Sequence, residues 1–137
     1  MELSYLLLTG SLSGLLSVLA HAVLWSIFAT FRVPLPGAPV SSPLQISDAL
    51  LHMLAGTGSA LLFWLSWGLA AVVDVSWWVR GLSFAGLCWT AFALPSVLAV
   101  AIARAVPVPL ATALAARWAM TYLIAGLACA WSWELSV

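Results

Sequence analysis

The sequence predicts an all-α integral membrane protein, a four-helix bundle in which residues 1–137 form a single transmembrane domain. Composition is the first reason: 65% of residues are hydrophobic and 6% are charged, where a soluble domain carries about 25% charged residues. The second is the distribution of the apolar residues. They fall into four runs, about Leu3–Phe31, Ala49–Val73, Gly81–Ala103 and Pro107–Trp133, each as long as the roughly 20 residues that cross a bilayer. The third is that these runs are continuous and do not alternate, which reads as helices and not as the strands of a barrel.

The first run lacks a basic leader and is longer than the apolar stretch of a cleaved signal, so it reads as a retained helix. Along it, Gly10, Ser13, Gly14, Ser17 and His21 recur at helical spacing. The Gly10–Gly14 pair is a GxxxG motif that admits a second helix at close range, so His21 should face protein. The connection "RVPLPGAPVSSPLQIS" is Pro-rich and reads as extended chain near the membrane surface. Ser47 suits the N-cap of the second helix, and Asp48 favours its first turn. That helix carries its own stripe, Asp48, His52, Gly56, Ser59 and Phe63, with Asp48 and His52 one turn apart and able to pair. "VDVSWWVR" is a tight second connection. Pro95 should kink the third helix and free the carbonyl of Ala91. After "RAVPVPL", Pro107 or Pro109 suits the first turn of the last helix.

A short echo runs through the chain. "SVLAHA" and "SVLAVA" each precede an arginine and a V-P-x-P run, at Arg32 and Arg104, as two hairpins repeated in the same orientation would require. Four spans put both termini on one side, here side A, with Glu2, Asp74, Arg80 and Glu134. Side B holds Arg32, Asp48, Arg104 and, if it reaches that surface, Arg117. The excess of arginine places side B in the cytoplasm and both termini outside, in a bacterial inner membrane. Trp77, Trp78, Trp131 and Trp133 gather at side A as an interfacial aromatic belt.

Net charge is zero and lysine is absent, which disfavours nucleic acid and polybasic lipid binding. Cys88 and Cys129 read as small core residues at different depths, not as a disulfide. No spacing motif recommends a metal site, a nucleophile or a phosphate loop, so the reading is non-enzymatic, with no catalytic and no metal-binding residues. The candidate ligand or partner contacts are Arg117, His21, Thr121, Asp48 and His52. The candidate packing residues are Gly10, Ser13, Gly14, Ser17, Gly56 and Ser59. Arg117 raises the sharpest question, because an isolated charge in a span costs at least about 2.5–3.5 kcal/mol. Either it snorkels and marks the side B edge, with residues 108–116 along the interface, or it joins His21 in a buried polar layer. In the second case the spans offer no carboxylate at its depth, with Asp48 at the rim nearest, and a partner from outside the chain is expected.

Three functions follow as expectations. The first is an accessory or scaffold subunit of a membrane complex, in contact with lipid and with other membrane subunits or copies of itself. The second is a small oligomeric transporter or channel for an anionic or lipid-like solute. The third is a redox subunit binding haem or quinone through His21 and His52.

Overall fold

The computed structural model describes residues 3–30, 46–66 and 74–135, in which all regular structure is helical. Four helices are long and apolar enough to cross a membrane. We name them α1 (Leu3–Thr30), α2 (Ile46–Leu65), α3 (Trp77–Ala103) and α4 (Val108–Glu134). The first connection and residues 67–73, which the sequence assigns to loop and to the second span, lie outside the described residues. Helix α2 already includes Ile46, so Ser47 lies within its first turn and does not cap it. Helix α3 starts at Trp77, before the expected Gly81, which brings Arg80 into its first turn, where it is buried.

Helix α4 is the hub. It packs on α3 along its length, on α1 and on α2, while α1 and α2 form the other extensive pair. Each pair closes at glycines. A Cβ on Gly10 or on Gly56 would collide with the other residue's carbonyl oxygen, and one on Gly14 would collide with the carbonyl of His52. In the second pair, a Cβ on Gly126 would stand 2.6 Å from the Gly81 carbonyl oxygen. Backbones this close exchange side-chain bulk for van der Waals contact, the usual basis of helix association in lipid. The two glycine contacts are nearly equivalent in sequence: Gly81 follows Gly10 by 71 residues and Gly126 follows Gly56 by 70.

The serines of the α1 and α2 stripes are buried, and each returns its hydroxyl to its own helix. Ser13 donates to Gly10 O, Ser17 to Gly14 O and Ser59 to Ala55 O. Their polar atoms are thereby satisfied without widening the helix contact. Ser11 and Thr57 hydroxyls meet at 2.7 Å between α1 and α2. Toward side A, all four helices share an apolar core of Leu6, Ala60, Phe63, Phe84, Cys88, Cys129 and Ala130. Phe63 meets the edges of Phe84 and Trp133 at 5.0 and 5.9 Å. Cys88 and Cys129 are free thiols in that core, as small packing residues would be.

Helix α3 departs from regular α geometry where its proline requires it. Residues Trp89–Ala93 form one π turn, and the amide of Leu94 reaches back to Trp89 O. Pro95 follows immediately and has no N–H to give to Ala91, so widening the preceding turn absorbs the missing bond. The expected distortion is thus a π segment. The α3–α4 turn is closed by Val106 N donating to Ala101 O and Ala105 N donating to Ile102 O. This is a Schellman arrangement with Ala105 at φ 49°, a position that usually takes glycine. Pro107 caps α4 and Pro109 lies in its first turn.

Gly56→Ala should therefore lower bundle stability by about 1–3 kcal/mol, the scale of overpacking a closed contact. Gly58→Ala, where an added Cβ meets nothing within 4 Å, should be neutral or stabilise by up to about 1 kcal/mol through helix propensity. Reversible unfolding in bicelles measures both.

Candidate functional site

The apolar core gives way toward side B to a polar layer between α2 and α4. Asp48, in the first turn of α2, accepts a hydrogen bond and ion pair from the Arg117 guanidinium on α4. The α2 N-terminus favours a negative charge at Asp48. One turn on, His52 is 3% exposed and turns its Nε2 toward Asp48 Oδ1 at 3.6 Å. Thr121, one turn beyond Arg117, is also buried. Its hydroxyl lies 2.9 Å from His52 Nδ1 and donates to the Arg117 carbonyl at 3.3 Å. The i, i+4 pairs Asp48/His52 and Arg117/Thr121 thus face each other across one helix contact.

The outside partner expected for Arg117 is replaced by a residue of the chain itself. The sequence placed Asp48 at the rim because it opens the second helix, but α1 and α4 both continue well beyond that level. Between Arg117 and the start of α4 lie nine residues, about 14 Å of helix. Over that distance Val108, Leu110 and Leu114 of α4 are exposed, as are Leu98, Val100 and Ile102 of α3 and Val23, Leu24 and Ile27 of α1. Arg117 therefore does not end the apolar surface. Residues 108–116 continue the helix instead of lying apart from it, and Trp89 Nε1 of α3 donates to Ala115 O at 2.9 Å.

The sequence-predicted residues divide clearly. Arg117, Asp48, His52 and Thr121 converge. His21, on α1, is half-buried and makes no hydrogen bond with them. Gly10, Gly14, Ser13, Ser17, Gly56 and Ser59 are helix-packing residues, all buried. Sequence reasoning missed Trp118 and Tyr122. The Trp118 ring stacks on His52 at 4.7 Å and 28°, and Tyr122 extends the stack at 6.2 Å. Their i, i+4 spacing beside Arg117 was the available signal.

Chemically, the layer holds one cation, one anion and two imidazoles. Arginine can grip a carboxylate with two parallel N–H bonds, yet Arg117 Nε is buried and has no acceptor. Thr121 meets His52 Nδ1, Asp48 stands 3.6 Å from its Nε2, and Trp118 covers one ring face. Among the described residues no three of His, Cys, Asp and Glu converge as metal ligands. No family model matches the chain, and neither the curated proteins nor the solved structures give a significant match.

Arg117→Ala and Asp48→Asn should each destabilise the bundle, on the order of 3 kcal/mol for a charge left without its partner. The double variant should lose clearly less than the sum of the two. A double-mutant cycle on unfolding in bicelles measures that coupling.

Proposed function

We propose that this chain is a small membrane carrier for an anionic solute, which takes the place of Asp48 on Arg117. The observation that carries the reading is the half-used guanidinium: it is tied to one carboxylate while its buried Nε has no acceptor. A bound anion would complete that fork, and the internal carboxylate holds the cation neutral between visits. Intramembrane ionisable groups mark solute or ion pathways as a rule, and the apolar surface on both sides of Arg117 supports that setting. The arginine balance favours side B, and hence the mouth nearer Arg117, on the cytoplasmic face of a bacterial inner membrane.

The accessory-subunit reading draws less support. The small-residue faces that motivated it are consumed between α1 and α2, and Arg117 finds its counter-ion internally. It retains one observation: α3 packs chiefly on α4, leaving Gly86 and Thr90 exposed on its outer side. A protein that co-purifies stoichiometrically on gentle extraction would favour that reading.

Proteoliposomes of neutral lipid loaded with labelled benzoate or inorganic phosphate test the carrier directly. We expect protein-dependent flux of at least one anion, a loss of tenfold or more in Arg117→Ala, and tighter anion binding in Asp48→Asn, where the competing charge is gone. Flux that is unchanged in Arg117→Ala, or absent from the parent protein, refutes it.

A further inference from the structure

Resting on the carrier reading, we propose that the solute is a monocarboxylate with an apolar body, and that it is bound together with one proton held between His52 and Asp48. The substrate class follows from the exchange at Arg117. The group to be displaced is itself a carboxylate, and a single guanidinium matches a single negative charge. The surroundings of the pair are apolar or aromatic, with Trp118 on α4 and exposed Leu114 one turn below Arg117, so the remainder of the solute meets hydrocarbon-like surface.

The proton follows from hydrogen bonding and charge. In the proposed arrangement the Thr121 hydroxyl donates to the Arg117 carbonyl and its oxygen accepts from the Nδ1–H of His52. A neutral His52 then presents an unprotonated Nε2 to Asp48 Oδ1, 3.6 Å away. Two lone-pair atoms face each other there, and a proton between them would convert a repulsive contact into an ion pair. At rest that repulsion is tolerated because Arg117 neutralises Asp48. When the solute takes Arg117, the layer holds two carboxylates against one guanidinium, and a net charge in such surroundings is costly. One proton from the side B aqueous phase, bound at Nε2 with no bond broken elsewhere, restores neutrality.

The groups facing this position are His21 from α1, Asp48 from α2, and Arg117 and Thr121 from α4; among the described residues α3 brings no charged side chain to this level. His21 lacks the carboxylate contact that His52 has, so His52 is the proton site. Solute and proton leave together, and transport is electroneutral.

The experiment uses the full chain in neutral-lipid nanodiscs, with empty nanodiscs subtracted, and titrates benzoate by calorimetry between pH 6 and 8 in buffers of different ionisation enthalpy. We expect about one proton taken up per benzoate where His52 is neutral at rest. Affinity there should fall about tenfold per unit rise in pH, because binding linked to one proton weakens as protons become scarce. Benzamide, which lacks the charge, should take up none. His52→Gln, which keeps a hydrogen-bonding group toward Thr121, should bind benzoate without proton uptake. In proteoliposomes of the parent protein, an imposed potassium-valinomycin potential should leave benzoate flux unchanged.

Benzoate binding with no proton uptake, or flux that follows the imposed potential, overturns the coupling and leaves the carrier reading standing. Phosphate bound in preference to benzoate overturns the substrate class. Absence of any anion binding removes both this inference and the reading beneath it.

Discussion

The need to neutralise Arg117 within apolar surroundings governs how the rest of the bundle is arranged. A guanidinium on α4 can be held there only if another helix brings a carboxylate to it, and Asp48 is the residue that does so. Asp48 stands in the first turn of α2, so the pair fixes the height of α2 against α4. Once that height is set, His52 falls opposite Thr121, Gly56 meets Gly10 on α1, and Phe63 reaches the core shared with α3. Sliding α2 by one turn would break the ion pair and the His52–Thr121 bond, and would lift both glycines out of contact. Polar pairing and glycine packing therefore specify the same register, and that agreement across levels is what selects one packing among several.

The bundle is divided along its length. At side A, aromatic and small apolar side chains from all four helices make a closed core. At side B, α1, α3 and α4 extend past the first described turn of α2, and the layer between them is polar. Close backbone contact dominates the glycine seams, with the Ser11–Thr57 hydroxyl pair added between α1 and α2. The polar layer contributes directional bonds but leaves one buried donor, Arg117 Nε, unsatisfied. A tight end and an imperfectly satisfied end are what a protein needs if one part must hold still while another exchanges partners.

Much of the fold was legible because helices long and apolar enough to cross a membrane are announced by length and hydropathy alone. The GxxxG pair and the stripe through Gly56 also lie along the α1–α2 seam, where close approach requires the absence of side chains, although which helices would pair was not readable. Depth was harder to read. Counting residues from the start of the second apolar run set Asp48 at a rim, and only the packing of α2 against longer neighbours brings it level with Arg117. The Pro95 distortion was readable in kind, through the missing amide, but whether a kink or a π turn absorbs it depends on what α4 offers beside it. Trp118 illustrates a different limit. Among nine tryptophans, only its place beside Arg117 and one turn before Tyr122 sets it apart.

The remaining question is whether the Asp48–Arg117 pair exists for stability or for exchange. A pair kept for stability would be a poor choice, since well-packed apolar residues commonly serve as well or better in a buried setting. It would also have no use for a histidine beside the carboxylate, nor for a threonine hydroxyl at that histidine's other nitrogen. Helix α2 could be locked to α4 by Asp48 and Arg117 alone, with Arg117 Nε and its neighbours satisfied. The layer instead adds a proton acceptor next to the anion and a free donor on the cation. Each feature costs stability in a static bundle, and under the proposed carrier reading each has a use: the donor would take an incoming carboxylate, and the acceptor the proton that keeps the opened layer neutral.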